Sequence, residues 1–274
     1  MINKVVPELP KVLSIAGSDP SGGAGLQADL KVMAQLGVYG AAAVTALTRQ
    51  TSEGVQDIYT LDSNWVLTQI TEVLYDLRPQ VIKTGMLQSP LILQGLAKIW
   101  RDYQAVEKEA VLVVDPVLHS GTGVSLLDKG GLKAFREELL PYTTVLTPNV
   151  PEAEAFTGMQ IKSTEDMEKA ARLLLDCGVQ WVLIKGGHFQ QDRGEIVDIL
   201  YSSEQIYDFP GERVPAQDPH GTGCTLASAL ASYLALSYSV PESTARAIKW
   251  VRQSIANAIY VGKGRPVVCQ QSLQ

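Results

Sequence analysis

A chain of 274 residues that is 46% hydrophobic and 19% charged has the composition of a globular protein with a sizeable core, enough for one large α/β domain or two ordinary ones. Its net charge of −6 leaves no basic footprint for nucleic acid, which excludes a polyanion partner but not a small phosphorylated ligand held by local donors. Three widely spaced cysteines, Cys177, Cys224 and Cys269, form no metal-ligand pattern with the three histidines and read as thiols of a reducing, cytoplasmic setting.

Lys4, Pro7, Glu8 and Pro10 precede any apolar run, so the first ten residues read as a lead-in and do not resemble a signal peptide. Residues 11–16 are β-type and stop at Gly17, after which Ser18-Asp19-Pro20-Ser21-Gly22-Gly23-Ala24-Gly25 must be loop. Leu26, Leu30, Met33 and Ala34 then form one helical stripe with Asp29 at its edge. Residues 39–47 are small and apolar, as in a strand buried on both faces of a parallel sheet, and lead into Thr48-Arg49-Gln50. Val66, Ile70, Val73, Leu74 and Leu77 keep helical spacing until Arg78-Pro79 breaks it, and a strand beginning at Gln80 runs to Lys83, followed by Thr84-Gly85-Met86.

The same rhythm continues. A helix over 89–100 precedes an apolar strand over 110–114 that ends at Asp115-Pro116, and a strand over 144–146 leads through Thr147-Pro148-Asn149 to a helix opened by Glu152 and Glu154. Ser163 and Asp166 spell a capping box for a further helix ending near Cys177-Gly178, and a strand over 181–184 ends at Lys185-Gly186-Gly187-His188. Residues 195–201 and 205–209 read as a hairpin, and two helices, over 222–238 and 243–262, finish the chain. With no repeat and no linker, the expectation is one domain over residues 1–274: an α/β, doubly wound, mainly parallel sheet with helices on both faces.

Residues 221–241 carry no charge and are about as long as a membrane span, but glycines, serines, threonines and two tyrosines dilute them, so a helix buried in the domain is the preferred reading. The start of that run has chemistry of its own. Gly221, Thr222, Gly223 and Cys224 open a helix whose free N–H groups and dipole favour an anion, and the same field would favour the Cys224 thiolate. Gln50, Asp115, Asn149 and Lys185 all fall at expected strand ends, which converge on one crevice in an open α/β sheet. Asp115 and Glu152 are hard oxygen ligands suited to Mg²⁺, and Lys185 can neutralise phosphate, so the set points to a phosphoryl donor.

No Gly-x-x-x-x-Gly-Lys-Ser/Thr loop is present, and Gly23-Ala24-Gly25-Leu26-Gln27-Ala28 lies too far past the first strand, with no ribose-binding acid after the second, to be a dinucleotide fingerprint. The segments Ala16-Gly17-Ser18-Asp19-Pro20-Ser21-Gly22-Gly23-Ala24-Gly25, Thr45-Ala46-Leu47-Thr48-Arg49-Gln50, Lys83-Thr84-Gly85-Met86-Leu87, Asp115-Pro116-Val117, Thr147-Pro148-Asn149-Val150-Pro151-Glu152, Lys185-Gly186-Gly187-His188 and His220-Gly221-Thr222-Gly223-Cys224 together resemble the hydroxymethylpyrimidine/phosphomethylpyrimidine kinases of thiamine biosynthesis. The resemblance spans nearly the whole chain. It implies a ribokinase-like fold and ATP- and Mg²⁺-dependent phosphorylation of 4-amino-5-hydroxymethyl-2-methylpyrimidine and then of its monophosphate. By position it implies that Gln50 and Asp29 bind the aminopyrimidine with Gly17 and Met86 packed nearby. It also implies that Gly221, Thr222, Gly223 and Cys224 form the anion hole with Cys224 as base, that Asn149, Lys185 and His188 face the nucleotide, and that Asp115 and Glu152 face the metal. A homodimer is the assembly it implies. The loop Leu118-His119-Ser120-Gly121-Thr122-Gly123 and the pair Asp218-Pro219 depart from the family's usual pattern, which puts the second phosphorylation in question. Pyridoxal kinases share the Gly-Thr-Gly-Cys motif and stay open as the alternative, as does a catalytically silent pyrimidine sensor.

Overall fold

The sheet is built outward from β1 (Lys11–Ser18), whose apolar residues Val12, Leu13 and Ile15 are wholly buried. The computed structural model describes residues 8–188, 195–212 and 219–271. On one side β1 pairs in parallel with β2 (Tyr39–Thr51), which turns back into the antiparallel β3 (Gly54–Thr60). On the other side β4 (Val81–Thr84), β5 (Val111–Val114), β6 (Val145–Leu146) and β7 (Trp181–Ile184) continue the parallel block. An antiparallel hairpin, β8 (Glu195–Tyr201) and β9 (Ile206–Glu212), closes the far edge. The strand order is β3-β2-β1-β4-β5-β6-β7-β8-β9 among the described residues, a mainly parallel sheet with antiparallel margins.

Alternation along the strands divides the core in two. Leu13, Ile15, Ile82, Leu112 and Val114 face one layer, where α2 (Ser63–Leu77), α3 (Pro90–Val106), the one-turn α4 (Gly131–Ala134), α5 (Val150–Thr157) and α6 (Thr164–Leu175) pack. Val12, Val81 and Val113 face the other, where α1 (Gly25–Gln35), α7 (Thr222–Ala235) and α8 (Val240–Ala256) pack. Trp100 and Tyr103 on α3 are among the largest fully buried side chains, and truncating either to alanine should cost about 3–5 kcal/mol. The caps follow the sequence: Asp62, Ser89, Ser163 and Ser239 each accept a backbone N–H at a helix start.

Two expectations change here. β2 is only partly buried, with Ala43, Thr45 and Ala46 inside and Tyr39 and Leu47 exposed. Its small residues serve close helix packing: a Cβ at Gly40 would lie 2.9 Å from both Leu30 and Met33 of α1. Past Leu47, β2 outruns β1 and keeps only β3, a short strand with no buried residue and absent from the sequence reading, as its neighbour. The uncharged run after Gly221 is an interior helix, with Ala227, Ser228, Ala231 and Ser232 buried. Among the described residues no helix is long and apolar enough to cross a membrane.

After α8 the chain returns as a strap. Val267 bridges Ile259 and also His220, and Gln270 Nε2 donates to the Gly23 carbonyl at 2.9 Å. The C-terminal segment thereby ties the loop before α1 to the loop before α7.

Candidate active site

A cavity of about 490 Å³ opens at the carboxyl ends of the central strands. Its walls start from the two loops that the strap joins. After β1, Asp19 is buried and turns the chain by accepting from the Ser21 N–H at 2.9 Å and hydroxyl at 2.7 Å and from the Ala24 N–H at 2.8 Å. Burial opposes its charge, but these hydrogen bonds, together with one from His220, hold its carboxyl below the usual range. Gly221 precedes α7 with φ +90°, and a Cβ there would collide with the Gly23 carbonyl oxygen, so only glycine lets the two loops meet. No side chain caps α7, and its first helical bond runs from the Thr225 N–H to the Gly221 carbonyl. The first-turn N–H groups of Thr222, Gly223 and Cys224 remain for an anion.

Across the cavity, Asp115 follows β5, Asn149 follows β6 and Lys185 follows β7. Asn149 and Glu152 form a reciprocal capping box at the start of α5, each side chain accepting the other's backbone N–H at 2.9 Å. Glu152 also accepts from the Leu118 N–H at 3.3 Å. Lys185 Nζ lies 3.1 Å from Asp115 and 4.0 Å from Glu152. Burial pushes the Glu152 carboxyl above its ordinary pKa despite the pull of Lys185. Burial alone would lower the Lys185 pKa, but Asp115 and Glu152 outweigh it and raise it. A Cβ on Gly223 would sit 3.6 Å from both Asp115 Oδ2 and Lys185 Nζ, so the open first turn of α7 abuts this cluster directly.

At the other end of the cavity lie Gly17, Gln50 and Met86. Thr45 Oγ1 donates to the Met86 carbonyl at 2.6 Å, and a Cβ at Gly17 would come within 3.1 Å of the Met86 sulfur. Gln50 Nε2 is 2.8 Å from His220 Nε2, which in turn is 3.1 Å from Asp19 Oδ2.

Of the residues expected at a site, Gly17, Gln50 and Met86, Asp115, Asn149, Glu152 and Lys185, and Gly221, Thr222, Gly223 and Cys224 all line this one cavity. Asp29 does not. Its side chain is 0% exposed and saturated, accepting from Lys83 Nζ at 2.9 and 2.8 Å, Ser14 Oγ at 2.5 Å and Ser228 Oγ at 2.6 Å. Asp29 faces the sheet from α1, so it supports the cavity from behind instead of meeting a ligand. His188 closes the turn Gly186–His188, and its side chain lies outside the described residues. The thiolate expected of Cys224 is also corrected. Burial pushes its pKa up to about 11, and the nearby Lys83 and the Gly25 N–H only partly offset this, which favours the neutral thiol over the thiolate.

Asp19, His220 and Lys83 sit in motifs already read from the sequence, where nothing distinguished them from loop and strand residues. Arg265 lines the cavity from the strap and donates to the Gly121 carbonyl at 2.8 Å, a placement that no local pattern announces. Among the described residues no group of three or more His, Cys, Asp or Glu is arranged to hold a metal. Asp115 and Glu152 fit the way Mg²⁺ is usually held in phosphoryl-transfer sites, by one or two carboxylates with water and substrate phosphates completing the shell.

Comparison with known proteins points the same way. The sequence pattern of a family described as phosphomethylpyrimidine kinase matches residues 19–268. A hydroxymethylpyrimidine/phosphomethylpyrimidine kinase of Mycobacterium tuberculosis is 42% identical over 255 residues, covering 93% of this chain and 91% of the relative. The phosphomethylpyrimidine kinase structure from Clostridium difficile 630 superposes with a TM-score of 0.78 at 36% identity, covering 90% of this chain and 99% of that one. A Staphylococcus aureus pyridoxal kinase in complex with AMP-PCP and pyridoxal superposes with a TM-score of 0.85 at 34% identity, covering 96% of this chain and 94% of that one.

Proposed function

The chain belongs to the phosphomethylpyrimidine kinase family, and from that premise we propose that it transfers the γ-phosphoryl group of ATP to 4-amino-5-hydroxymethyl-2-methylpyrimidine, and then to the monophosphate, in thiamine biosynthesis. The observation that carries this reading is the junction at Gly223, where the anion seat at the start of α7 lies against Asp115 and Lys185. The ring-binding side with Gln50 and Met86 lines the same cavity.

The pyrimidine ring sits against Gly17 and Met86 with its polar edge on Gln50. Its hydroxymethyl oxygen reaches the N–H groups of Thr222, Gly223 and Cys224, which hold the transferring phosphoryl group. Because the transition state for phosphoryl transfer is loose, charge neutralisation and alignment carry most of the rate and a strong base is not needed. A neutral Cys224 thiol suits that chemistry as a hydrogen-bond partner for the hydroxyl. Asn149, Lys185 and His188 take the nucleotide side, and Lys185 moves its charge from the two carboxylates toward the phosphates. Asp115 and Glu152 would hold Mg²⁺, which when bound would supply charge neutralisation on the nucleotide phosphates. The AMP-PCP complex of the S. aureus relative supports ATP as donor. Residues 1–274 act as one kinase domain in the cytoplasm, and the homodimer carried over from the resemblance is tested by light scattering.

Mass identification of products after incubation with Mg-ATP and hydroxymethylpyrimidine, its monophosphate or pyridoxal decides the reading. Mono- and diphosphates of the pyrimidine are expected. Phosphorylation of pyridoxal alone would replace this reading with that of the structural neighbour, and no product from any of the three would leave a silent binder.

A further inference from the structure

One ring nitrogen has to serve two neighbours at the ring-binding end. His220 Nε2 lies 2.8 Å from the Gln50 amide nitrogen and 3.1 Å from Asp19 Oδ2. Asp19 is buried and carries no proton to donate, because the N–H groups of Ser21 and Ala24 and the Ser21 hydroxyl all donate to it. The proton between the carboxylate and the imidazole must therefore be on His220 Nε2. A protonated Nε2 cannot accept from an amide N–H, so Gln50 has to present its oxygen there.

A half-turn of the Gln50 amide makes that exchange, and the bonds at the other end require the same turn. Thr48 Oγ1 donates its only proton to the Ser18 carbonyl at 2.9 Å, so it has none for Gln50 Oε1 at 3.3 Å. After the half-turn, Thr48 Oγ1 accepts from the Gln50 NH₂ group, and the single His220 Nε2–H is shared between Asp19 Oδ2 and Gln50 Oε1, so that no donor faces a donor. One N–H and one oxygen lone pair of Gln50 are left for a ligand.

We propose that Asp19, His220 and Thr48 are positioning residues that lock the Gln50 amide in one orientation, so that the cavity accepts a ring edge with one donor–acceptor order and rejects the reversed order. An unlocked glutamine cannot discriminate, since a flip lets it pair with either order at little cost. A 4-aminopyrimidine edge offers a donor at the amino group and an acceptor at N3, and a 4-oxopyrimidine edge reverses both. His220 suits the task because its backbone is fixed independently, by its N–H to the Pro266 carbonyl at 2.8 Å and by the Val268 N–H to its carbonyl at 3.1 Å. This inference rests on the pyrimidine reading above.

The test compares kcat/KM for 4-amino-5-hydroxymethyl-2-methylpyrimidine and its 4-oxo analogue in wild type, His220→Phe and Thr48→Val. Two reversed hydrogen bonds should give wild type a preference of about 100-fold or more for the amino compound. Either substitution should bring that preference below about 10-fold, mainly by improving the oxo compound. A merely structural role would slow both substrates alike and keep the ratio, which would overturn the lock. A second measurement needs no substrate: ¹⁵N spectra of the imidazoles, with the His220 signals identified by their loss in His220→Phe. The Nε2-protonated form is expected, and an Nδ1-protonated neutral ring refutes the proposal. If wild type phosphorylates neither pyrimidine, the functional reading fails, and the ring spectra still decide the lock.

Discussion

Two lysine–carboxylate groups stand on opposite sides of the cavity wall, and they differ in how completely their charges are spent. Lys83 and Asp29 are both 0% exposed, and the Asp29 carboxylate collects bonds from β1, β4 and α7 as well as belonging to α1. Burial would lower the Lys83 pKa, but the Asp29 charge more than reverses that and keeps the ammonium well above its ordinary value. Lys185, by contrast, faces two carboxylates with one charge, and it lines the cavity. The closed pair holds four elements together. The open cluster sets two carboxyl groups against one ammonium and faces the cavity, which is what a site for a cation and a phosphate chain requires.

The contrast breaks most sharply at the open cluster. Lys185→Met should lower kcat by about 10³-fold while the thermal midpoint stays within a few degrees, as measured by coupled ADP release and calorimetry. A loss of folding with that change would make Lys185 a structural group like Lys83. At the closed pair the order reverses. Lys83→Met strands a buried carboxylate and should cost about 3–5 kcal/mol in urea unfolding, whereas Lys83→Met with Asp29→Leu should recover most of that loss. A double variant as unstable as the single one would show that shape, not charge, governs the pair.

Smaller effects sharpen the picture. Glu152→Gln removes one of the two cavity carboxylates and should raise the Mg²⁺ concentration for half-maximal activity about tenfold, read from a Mg²⁺ titration at saturating ATP. Smallest is Cys224→Ser, expected to stay within about tenfold of wild-type kcat because a neutral thiol contributes a hydrogen bond and no charge. With its pKa raised to about 11, the thiol stays protonated as pH rises through neutrality. The iodoacetamide rate at Cys224 should therefore keep climbing past pH 9, and a plateau near pH 8 would restore the thiolate expected from the helix field alone.

Most of the site was legible because α/β sheets deliver strand ends to one place. Asp115, Asn149 and Lys185 needed only their strands to be recognised, and Gly221 and Gly223 announced the uncapped first turn of α7 that lines the same cavity. Asp29 misled because a carboxylate beside a glycine-rich loop looks the same in sequence whether its partner is a ligand or Lys83, 54 positions away. Cys224 misled because the helix field is local and readable, while the burial that outweighs it is set by the packed surroundings of the thiol. The strand Gly54–Thr60 escaped because an edge strand carries no buried stripe, and residue types alone do not reveal the Asp19–His220–Gln50 contact, which spans the chain.

The strap carries a further consequence, for assembly. The Gly23 carbonyl is held by Gln270 across 247 positions of sequence, and Val267 lies against His220. During synthesis the loop after β1 emerges 247 positions ahead of Gln270, so a ribosome-stalled chain ending before Gln270 would carry most of the sheet without the brace on the Gly23 carbonyl.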